Sequence, residues 1–144
     1  MSVKRTVLSG ALVSVLVVAG GCAGLGGPSD EELISAVVEK WAAAMVKPDV
    51  DVVLETYSEN FSHYEVPDKA SLEEFLNQAV EMGYLEDAEV YLEDAETEID
   101  PEAGTAMVYP IDLSSSAGYV TIELNLAKEE DAGWLITGMD IEGL

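Results

Sequence analysis

The chain has 144 residues, enough for one domain with a hydrophobic core but not comfortably for two. Its 29 acidic residues outnumber its six lysines and arginines and give a formal net charge of −23, which would repel nucleic acid phosphates and anionic lipid headgroups, so neither is an expected partner of its surface. The single cysteine excludes an internal disulfide framework.

Residues 1–21 are predicted to be a signal peptide. Lys4 and Arg5 provide a positively charged start, and an apolar run follows from Val7 to Ala19. This run is shorter than the ~20 residues that a membrane-spanning helix needs. Removal of the segment would leave four lysines against all 29 acidic residues, a formal charge of −25 (29 minus four).

The end of this segment resembles the lipobox of bacterial lipoproteins, in which a cysteine that follows small residues is acylated and becomes the new N-terminus. Ala19, Gly20 and Gly21 precede Cys22, although leucine is the usual residue at the position of Ala19. The resemblance implies a membrane anchor of acyl chains on Cys22, with ~0.8 kcal/mol per buried methylene, and a flexible tether over residues 22–29. The protein would then be exported and lipid-anchored at the cell membrane or outer membrane, on the periplasmic or extracellular face. An ordinary cleaved signal peptide is the alternative.

Three amphipathic helices are predicted after the tether. A capping box starting at Ser29 opens the first, and Pro48 stops it. Asp49 can cap a shorter second helix. A second capping-box signature at Ser71 opens the third helix, which Gly83 closes. The apolar positions recur at helical spacing and are Leu33, Ile34, Val37, Val38, Trp41, Ala44, Met45, Val50, Val53, Leu54, Leu72, Phe75, Leu76, Ala79 and Met82.

Strands are predicted around and after the third helix. One should run from Phe61 to Val66, between the second and third helices. Beyond Gly83 apolar and polar residues alternate, which predicts four antiparallel strands joined by short turns. Pro110 indicates an edge position or a bulge, and the acidic run from Glu86 to Glu98 is interpreted as a solvated strand face. The four strands are Ala88 to Leu92, Thr105 to Leu113, Val120 to Leu126 and Trp134 to Ile141. For the first of them a helix is the alternative, because the string LEDAE occurs twice at a seven-residue spacing, from Leu85 and from Leu92.

This order of elements predicts an α+β fold with helices on one face of a curved sheet. It resembles the nuclear transport factor 2-like superfamily, shared by ketosteroid isomerases, scytalone dehydratase and the SnoaL-like proteins. The resemblance rests on Trp41, on the segment Val53 to Phe61 and on Gly133 to Ile136. It implies a cone-shaped, curved antiparallel sheet, covered on one face by about three N-terminal helices, in a domain over residues 30–144.

For the ketosteroid isomerases, the resemblance would place the acidic general base at Glu65, with His63 on the same side of the strand. The tyrosine that stabilises the enolate would fall at Trp41, which has no phenol, and the partner acid would fall near Asn125. Asn125 alternates with apolar residues and should face away from the core; a one-residue shift would put a leucine there instead. That reaction needs a base and a hydrogen-bond donor, so it is not predicted.

His63 and Glu65 have two interpretations. They could form a general-base pair at the mouth of a pocket, where the carboxylate raises the basicity of the imidazole. The alternative is that His63 is a strand histidine that is hydrogen-bonded at the surface of a sheet. A lone histidine among carboxylates lacks a third convincing metal ligand, and the chain has no calcium-binding loop pattern, so neither a metal nor a cofactor is predicted.

Aromatic residues could line an apolar cavity for a hydrophobic ligand, or complete a small core. The candidate ligand-binding residues are Trp41, Tyr57, Phe61, Tyr64, Tyr109, Tyr119 and Trp134.

The sequence favours an exported, lipid-anchored, single-domain protein without catalytic activity, which binds a small hydrophobic ligand or a partner protein at the cell envelope. The alternative is a small isomerase, dehydratase or cyclase with Glu65 or His63 as general base. A third possibility is a spacer lipoprotein without a ligand. The resemblance also implies a homodimer formed through the open sheet face. The acidity fits solubility, a salty habitat, or binding of cations and basic partners.

Overall fold

The structure is a computed structural model that describes residues 27–143. The predicted signal peptide at residues 1–21, the predicted lipidation site at Cys22 and most of the predicted tether lie outside the described residues. Within residues 27–143, no helix is both long enough and apolar enough to cross a membrane.

The first two helices begin where their capping residues predict. Helix α1 spans Asp30–Val46, and the predicted capping box is confirmed: the side chain of Ser29 accepts from the backbone N–H of Glu32, whose carboxylate accepts from the backbone N–H of Ser29. Helix α2 spans Val50–Glu55 and is capped by Asp49, as predicted. Both helix starts follow from side chains that satisfy otherwise unpaired N–H groups.

Helix α3 spans Lys69–Glu81, and its cap lies three residues before Ser71, the capping residue predicted from the sequence. The cap is Asp68, whose carboxylate accepts a hydrogen bond from the backbone N–H of Ser71 at 2.8 Å. That hydrogen bond lowers the pKa of Asp68. The helix ends before Gly83, which has a φ of 75° and takes the left-handed conformation that glycine tolerates best.

Five antiparallel strands form one sheet. Strands β3, β4 and β5 are consecutive neighbours, while β1 and β2 both pair with the other side of β3. This arrangement confirms the predicted α+β class. Five strands follow Gly83 instead of the predicted four, because β2 lies between the predicted strands Ala88 to Leu92 and Thr105 to Leu113. The strands are β1 Glu89–Tyr91, β2 Glu96–Asp100, β3 Thr105–Ser115, β4 Gly118–Glu129 and β5 Gly133–Glu142.

Strands β1 and β2 are two halves of one interrupted edge strand, and Pro110 of β3 lies opposite the interruption. Pairing with β2 ends at Tyr109, and pairing with β1 begins at Asp112. Proline has no N–H to donate, so it is tolerated where the neighbouring strand is missing. The register with β4 also shifts between Val108 and Ile111, which confirms the predicted bulge.

The predicted strand from Phe61 to Val66 is wrong, because this segment forms no strand. Ser58 makes a turn instead: its carbonyl accepts from the backbone N–H of Phe61 at 3.0 Å, and its hydroxyl accepts from the backbone N–H of Asn60 at 2.9 Å. Serine and asparagine stabilise turns through such local hydrogen bonds. These bonds outweigh the weak alternation that suggested a strand.

The core lies between the helices and the inner face of the sheet. All the elements that build it lie within residues 27–143, so we expect residues 27–144 to fold as an independent unit. The opposite, outer face of the sheet is uncovered and carries acidic side chains, among them Glu96, Glu98, Glu123, Asp140 and Glu142. The largest fully buried side chains are Trp41, Ile34, Leu72, Ile111, Leu124, Leu126 and Ile136.

The concentration of carboxylates predicts that salt stabilises the domain. Raising KCl from about 20 mM to about 1 M shortens the Debye length from roughly 20 Å to about 3 Å and screens repulsion between the carboxylates. We expect the Tm of residues 27–144, followed by circular dichroism, to rise by several degrees. A variant with Glu96→Gln, Glu98→Gln, Glu123→Gln and Glu142→Gln should melt higher at low salt and respond less to KCl. Equal salt dependence of the two proteins would contradict this explanation.

Candidate functional site

His63 and Glu65, the predicted base pair, lie in the irregular segment beside β5, where the backbone N–H of Ser62 donates to the carbonyl of Thr137 at 3.1 Å. Glu65 is exposed, and its contact with His63 uses its backbone: its N–H donates to the imidazole Nδ1 at 3.2 Å. The imidazole also lies against the ring of Tyr64, with 4.3 Å between centroids. The two residues therefore follow a segment whose backbone is bonded to the edge strand β5.

Four of the seven predicted ligand-binding aromatics are buried in the core. Three of them are in contact: the indole Nε1 of Trp41 donates to the phenol oxygen of Tyr57 at 3.1 Å, and the Tyr57 and Phe61 rings meet edge to face with centroids 5.0 Å apart. The Tyr57 hydroxyl in turn donates to Sδ of Met139 at 3.7 Å. Burial raises the pKa of Tyr57, so its phenol stays protonated. Trp41 thus uses its N–H inside the core.

Trp134, the fourth buried aromatic, holds the start of α1. Its indole Nε1 donates to Oδ1 of Asp30 at 3.0 Å, and the ammonium group of Lys128 donates to the same oxygen at 2.7 Å. These two hydrogen bonds lower the pKa of Asp30. They fix the beginning of the helical layer at the end of the sheet where β4 turns into β5.

The other predicted aromatics are exposed. Tyr64 is 83% exposed. Tyr109 lies on the outer face of the sheet, where the negative charge of Glu142 raises the pKa of its phenol. Tyr119 lies at the start of β4 and borders the cavity described next. Asn125 lies between two buried leucines and is only half-buried, as expected for a residue that faces away from the core.

An apolar cavity of about 400 Å³ lies between α3 and the end of the sheet that contains the β3–β4 hairpin. Helix α3 packs mainly on α2 rather than on the strands, which leaves space beneath its inner face. The helical side of the cavity consists of Met45, Phe75, Leu76 and Ala79. The sheet side consists mainly of Leu113, Val120, Ile122 and Ile141.

The loop after α3 closes one side of the cavity with Tyr84 and Leu85. This loop is fastened to the β3–β4 hairpin through Ser116: its hydroxyl donates to the carbonyl of Gly83, and its backbone N–H donates to the carbonyl of Glu86 at 3.0 Å. Serine at this turn therefore has a structural role, joining the two walls of the cavity.

The lining of the cavity contains no aspartate, glutamate, lysine, arginine or histidine. The lining residues with ionisable side chains are Tyr84 and Tyr119. A hydrogen bond to Asp112, on the outer face of the sheet, raises the pKa of Tyr119, so its phenol is neutral at physiological pH. The cavity thus offers apolar contact and weak hydrogen-bonding groups, but no general base.

Of the seven aromatics predicted to bind ligand, Tyr119 is the one that lines this cavity within residues 27–143. The other lining residues were predicted only as the apolar faces of helices and strands. One detectable signal was the width of the apolar face of α3. Leu72, Leu76 and Ala79 fill its buried side, whereas Phe75 remains 50% exposed at the cavity. When the apolar face of a helix is wider than the part buried in the core, the remaining apolar side chains indicate an additional binding surface.

Among residues 27–143, no group of three or more histidine, cysteine, aspartate or glutamate side chains is placed so that it could hold a metal ion. The carboxylates of the outer sheet face are spread along the strands and do not converge on one point.

No family model matches the sequence, and no curated protein matches it. Solved structures do. A nuclear transport factor 2-like protein of unknown function from Pseudomonas putida aligns over 79% of this chain and 86% of that one, with a TM-score of 0.65 and 10% identity. A nuclear transport factor 2-like superfamily protein from Salmonella enterica aligns over 79% and 90%, with a TM-score of 0.63 and 12% identity. The chain has the nuclear transport factor 2-like fold. At these identities the likeness concerns the fold alone.

A protein of unknown function with a cystatin-like fold from Nostoc punctiforme is also similar. It aligns over 77% of this chain and 88% of that one, with a TM-score of 0.60 and 12% identity. Curved antiparallel sheets covered by helices on one face are therefore shared by proteins with very different sequences. The function has to be argued from the cavity of this chain.

The Trp41–Tyr57 hydrogen bond can be tested by removing one hydroxyl. Tyr57→Phe should lower the free energy of unfolding by about 1–3 kcal/mol, because the buried indole N–H loses its acceptor. Tyr64→Phe, the same chemical change on an exposed ring, should leave stability unchanged. Urea denaturation of residues 27–144 measures both effects, and equal stabilities of the two variants would show that the bond contributes nothing.

Proposed function

We propose that this chain is an exported, lipid-anchored binding protein without catalytic activity, and that it holds a small hydrophobic ligand in the cavity between α3 and the sheet. The observation that carries the proposal is the composition of that cavity. Its walls are almost entirely apolar, and its volume of about 400 Å³ falls in the range of roughly 300–1,000 Å³ usual for small-molecule sites.

Burial of apolar surface provides the driving force for such binding, at roughly 25 cal/mol per Å² removed from water. The exposed ring of Phe75 and the exposed ring of Tyr84 at the cavity can be covered by a ligand, so binding would bury surface that the free protein leaves in water. Side chains from three regions contribute: one helix wall, one loop and the end of the sheet. A ligand that contacts all three would be enclosed on most sides.

The same composition argues against the enzymatic alternative. An isomerase or dehydratase needs a base placed against the substrate and a donor for the developing negative charge. His63 and Glu65 are not among the residues that line the cavity, and the lining offers only phenols as ionisable groups. Binding needs none of these groups, so the geometry supports binding better than catalysis.

The tether and the cavity would lie at opposite ends of the domain. Helix α1 starts at Asp30, beside Lys128 and Trp134. It contributes to the cavity through Met45, near its other end. A helix of 17 residues is about 25 Å long. An anchored domain could therefore present its cavity to the aqueous side.

A partner protein or a second copy of the chain could still bind the outer face of the sheet. That face is acidic rather than apolar, so pairing it with itself would bring carboxylates such as Glu123 and Asp140 together. Homodimerisation through this face would therefore depend on screening by salt. The cavity does not require a second copy for any of its walls.

Filling the cavity should weaken ligand binding. We expect residues 27–144 to bind the uncharged fluorophore N-phenyl-1-naphthylamine at one saturable site, with increased fluorescence. Ala79→Phe places a ring in the cavity and should lower the affinity at least about tenfold, the effect of losing roughly 1.4 kcal/mol. Ala70→Phe makes the same change at an exposed position of the same helix and should bind like the unchanged protein. Equal binding by both variants, or no saturable binding, would contradict the proposal.

The proposed anchor is tested on the full chain expressed in a bacterium. Intact-mass measurement of membrane-extracted protein should give a chain that starts at Cys22 and carries added acyl mass. Cys22→Ser should move the protein from the membrane to the soluble fraction of the cell envelope, because the acyl chains are absent. A mass without acyl chains would end the lipoprotein part of the proposal, while the cavity experiment would remain valid.

A further inference from the structure

We propose that the cavity selects its ligand by charge: it accepts uncharged apolar molecules and rejects apolar molecules that carry a carboxylate or another anionic group. This inference rests on the proposed function, because it specifies the ligand class of the same cavity. It follows from the absence of a positive charge in the lining and from the position of carboxylates around it.

The described part of the chain has four lysines and no arginine, and none of the lysines lines the cavity. Lys40, Lys69 and Lys128 are each paired with a carboxylate at distances of 2.6 to 2.9 Å. Lys47 follows the end of α1 and is exposed. An anionic group that entered the cavity would lose water and meet no positive side chain, which makes its burial unfavourable.

Carboxylates lie close to the walls. Asp112 lies on the outer face of the sheet behind the cavity wall, where it interacts with Tyr119. The carboxyl group of Glu86 packs against Gly83, within 3.5 Å of where a Cβ on residue 83 would lie. Both residues belong to the loop after α3, which forms one wall of the cavity. With a formal charge of −25 after residue 21 (four lysines against 29 acidic residues), the whole domain repels anions approaching the opening.

These two effects differ in their response to salt. Repulsion by the surface carboxylates acts through solvent and weakens as the Debye length shortens. The cost of burying an anion without a partner is local and persists at high salt. An uncharged ligand experiences neither effect, so its affinity should hardly depend on ionic strength.

Three probes with the same eight-carbon tail separate these contributions: 1-octanol, octanoate and octylammonium. Isothermal titration calorimetry of residues 27–144 at about pH 7.5 would compare them in about 20 mM and about 1 M KCl. We expect octanol to bind equally at both salt concentrations. Octanoate should bind about tenfold more weakly than octanol at low salt, and part of this difference should disappear at high salt. Octylammonium should bind more tightly than octanoate at low salt, with a smaller difference at high salt.

A lysine placed at the opening should reverse the discrimination. Ala117 lines the cavity in the β3–β4 hairpin and is exposed. Ala117→Lys should raise the affinity for octanoate by about tenfold and change that for octanol less than about twofold. Ala117→Gln controls for the longer side chain. Ala103→Lys, in the exposed turn before β3 at the other end of the sheet, controls for the change in total charge. Both controls should leave the preference for octanol intact.

The outcomes distinguish the two proposals. If octanoate binds as tightly as octanol at low salt, selection by charge is wrong and the apolar cavity remains a binding site. If octylammonium is rejected as strongly as octanoate, the sign of the charge plays no part, and the inference is overturned. If Ala103→Lys improves octanoate binding as much as Ala117→Lys, the effect comes from total charge and not from the cavity. If octanol itself does not bind, the proposed function fails together with this inference.

Discussion

Three residues, Thr56 to Ser58, attach the helical layer to the sheet. Both backbone groups of Ile136 in β5 are used: its N–H donates to the carbonyl of Thr56, and its carbonyl accepts from the N–H of Ser58, each at 2.8 Å. Between them the phenol of Tyr57 accepts from the indole of Trp41 in α1. These bonds hold the helices against β5, an edge strand of the sheet. Helix α3 follows after a short irregular segment and lies over the end of the sheet that contains the β3–β4 hairpin.

The parts of the fold that depend on local chemistry were predictable from the sequence. Capping at Ser29 and Asp49, the bulge at Pro110 and the alternation in the last three strands each need only a few neighbouring residues. The turn at Ser58 differs from the prediction because the hydrogen bond from the backbone N–H of Asn60 to its hydroxyl favours a turn, whereas the alternation after it favours a strand. The apolar face of α3 is wide enough to indicate a further contact surface at Phe75, but the other lining residues have the pattern of ordinary core residues, so the cavity itself was not predictable. Whether two apolar faces touch or leave a gap depends on how distant elements are held.

The distribution of charge separates the surface from the interior of this protein. Acidic residues occupy the exposed helix faces and the outer face of the sheet. Lys40, Lys69 and Lys128 form ion pairs with carboxylates at the surface. The cavity carries neither sign of charge in its lining. Under the selection by charge that we propose, this contrast would give the cavity a preference for molecules that have no charge to repel. The acidity of the surface and the apolar cavity would then serve one function together.

The edge strand beside β3 is divided into β1 and β2. This division has a consequence where many copies of the protein lie close together. Open strand edges invite strands from other molecules and can seed fibrils. Here one edge offers only three and five residues on either side of a break, with glutamates among them. The other edge, β5, is partly occupied by Tyr57 and Ser62. Densely displayed copies would therefore resist adding to one another strand by strand.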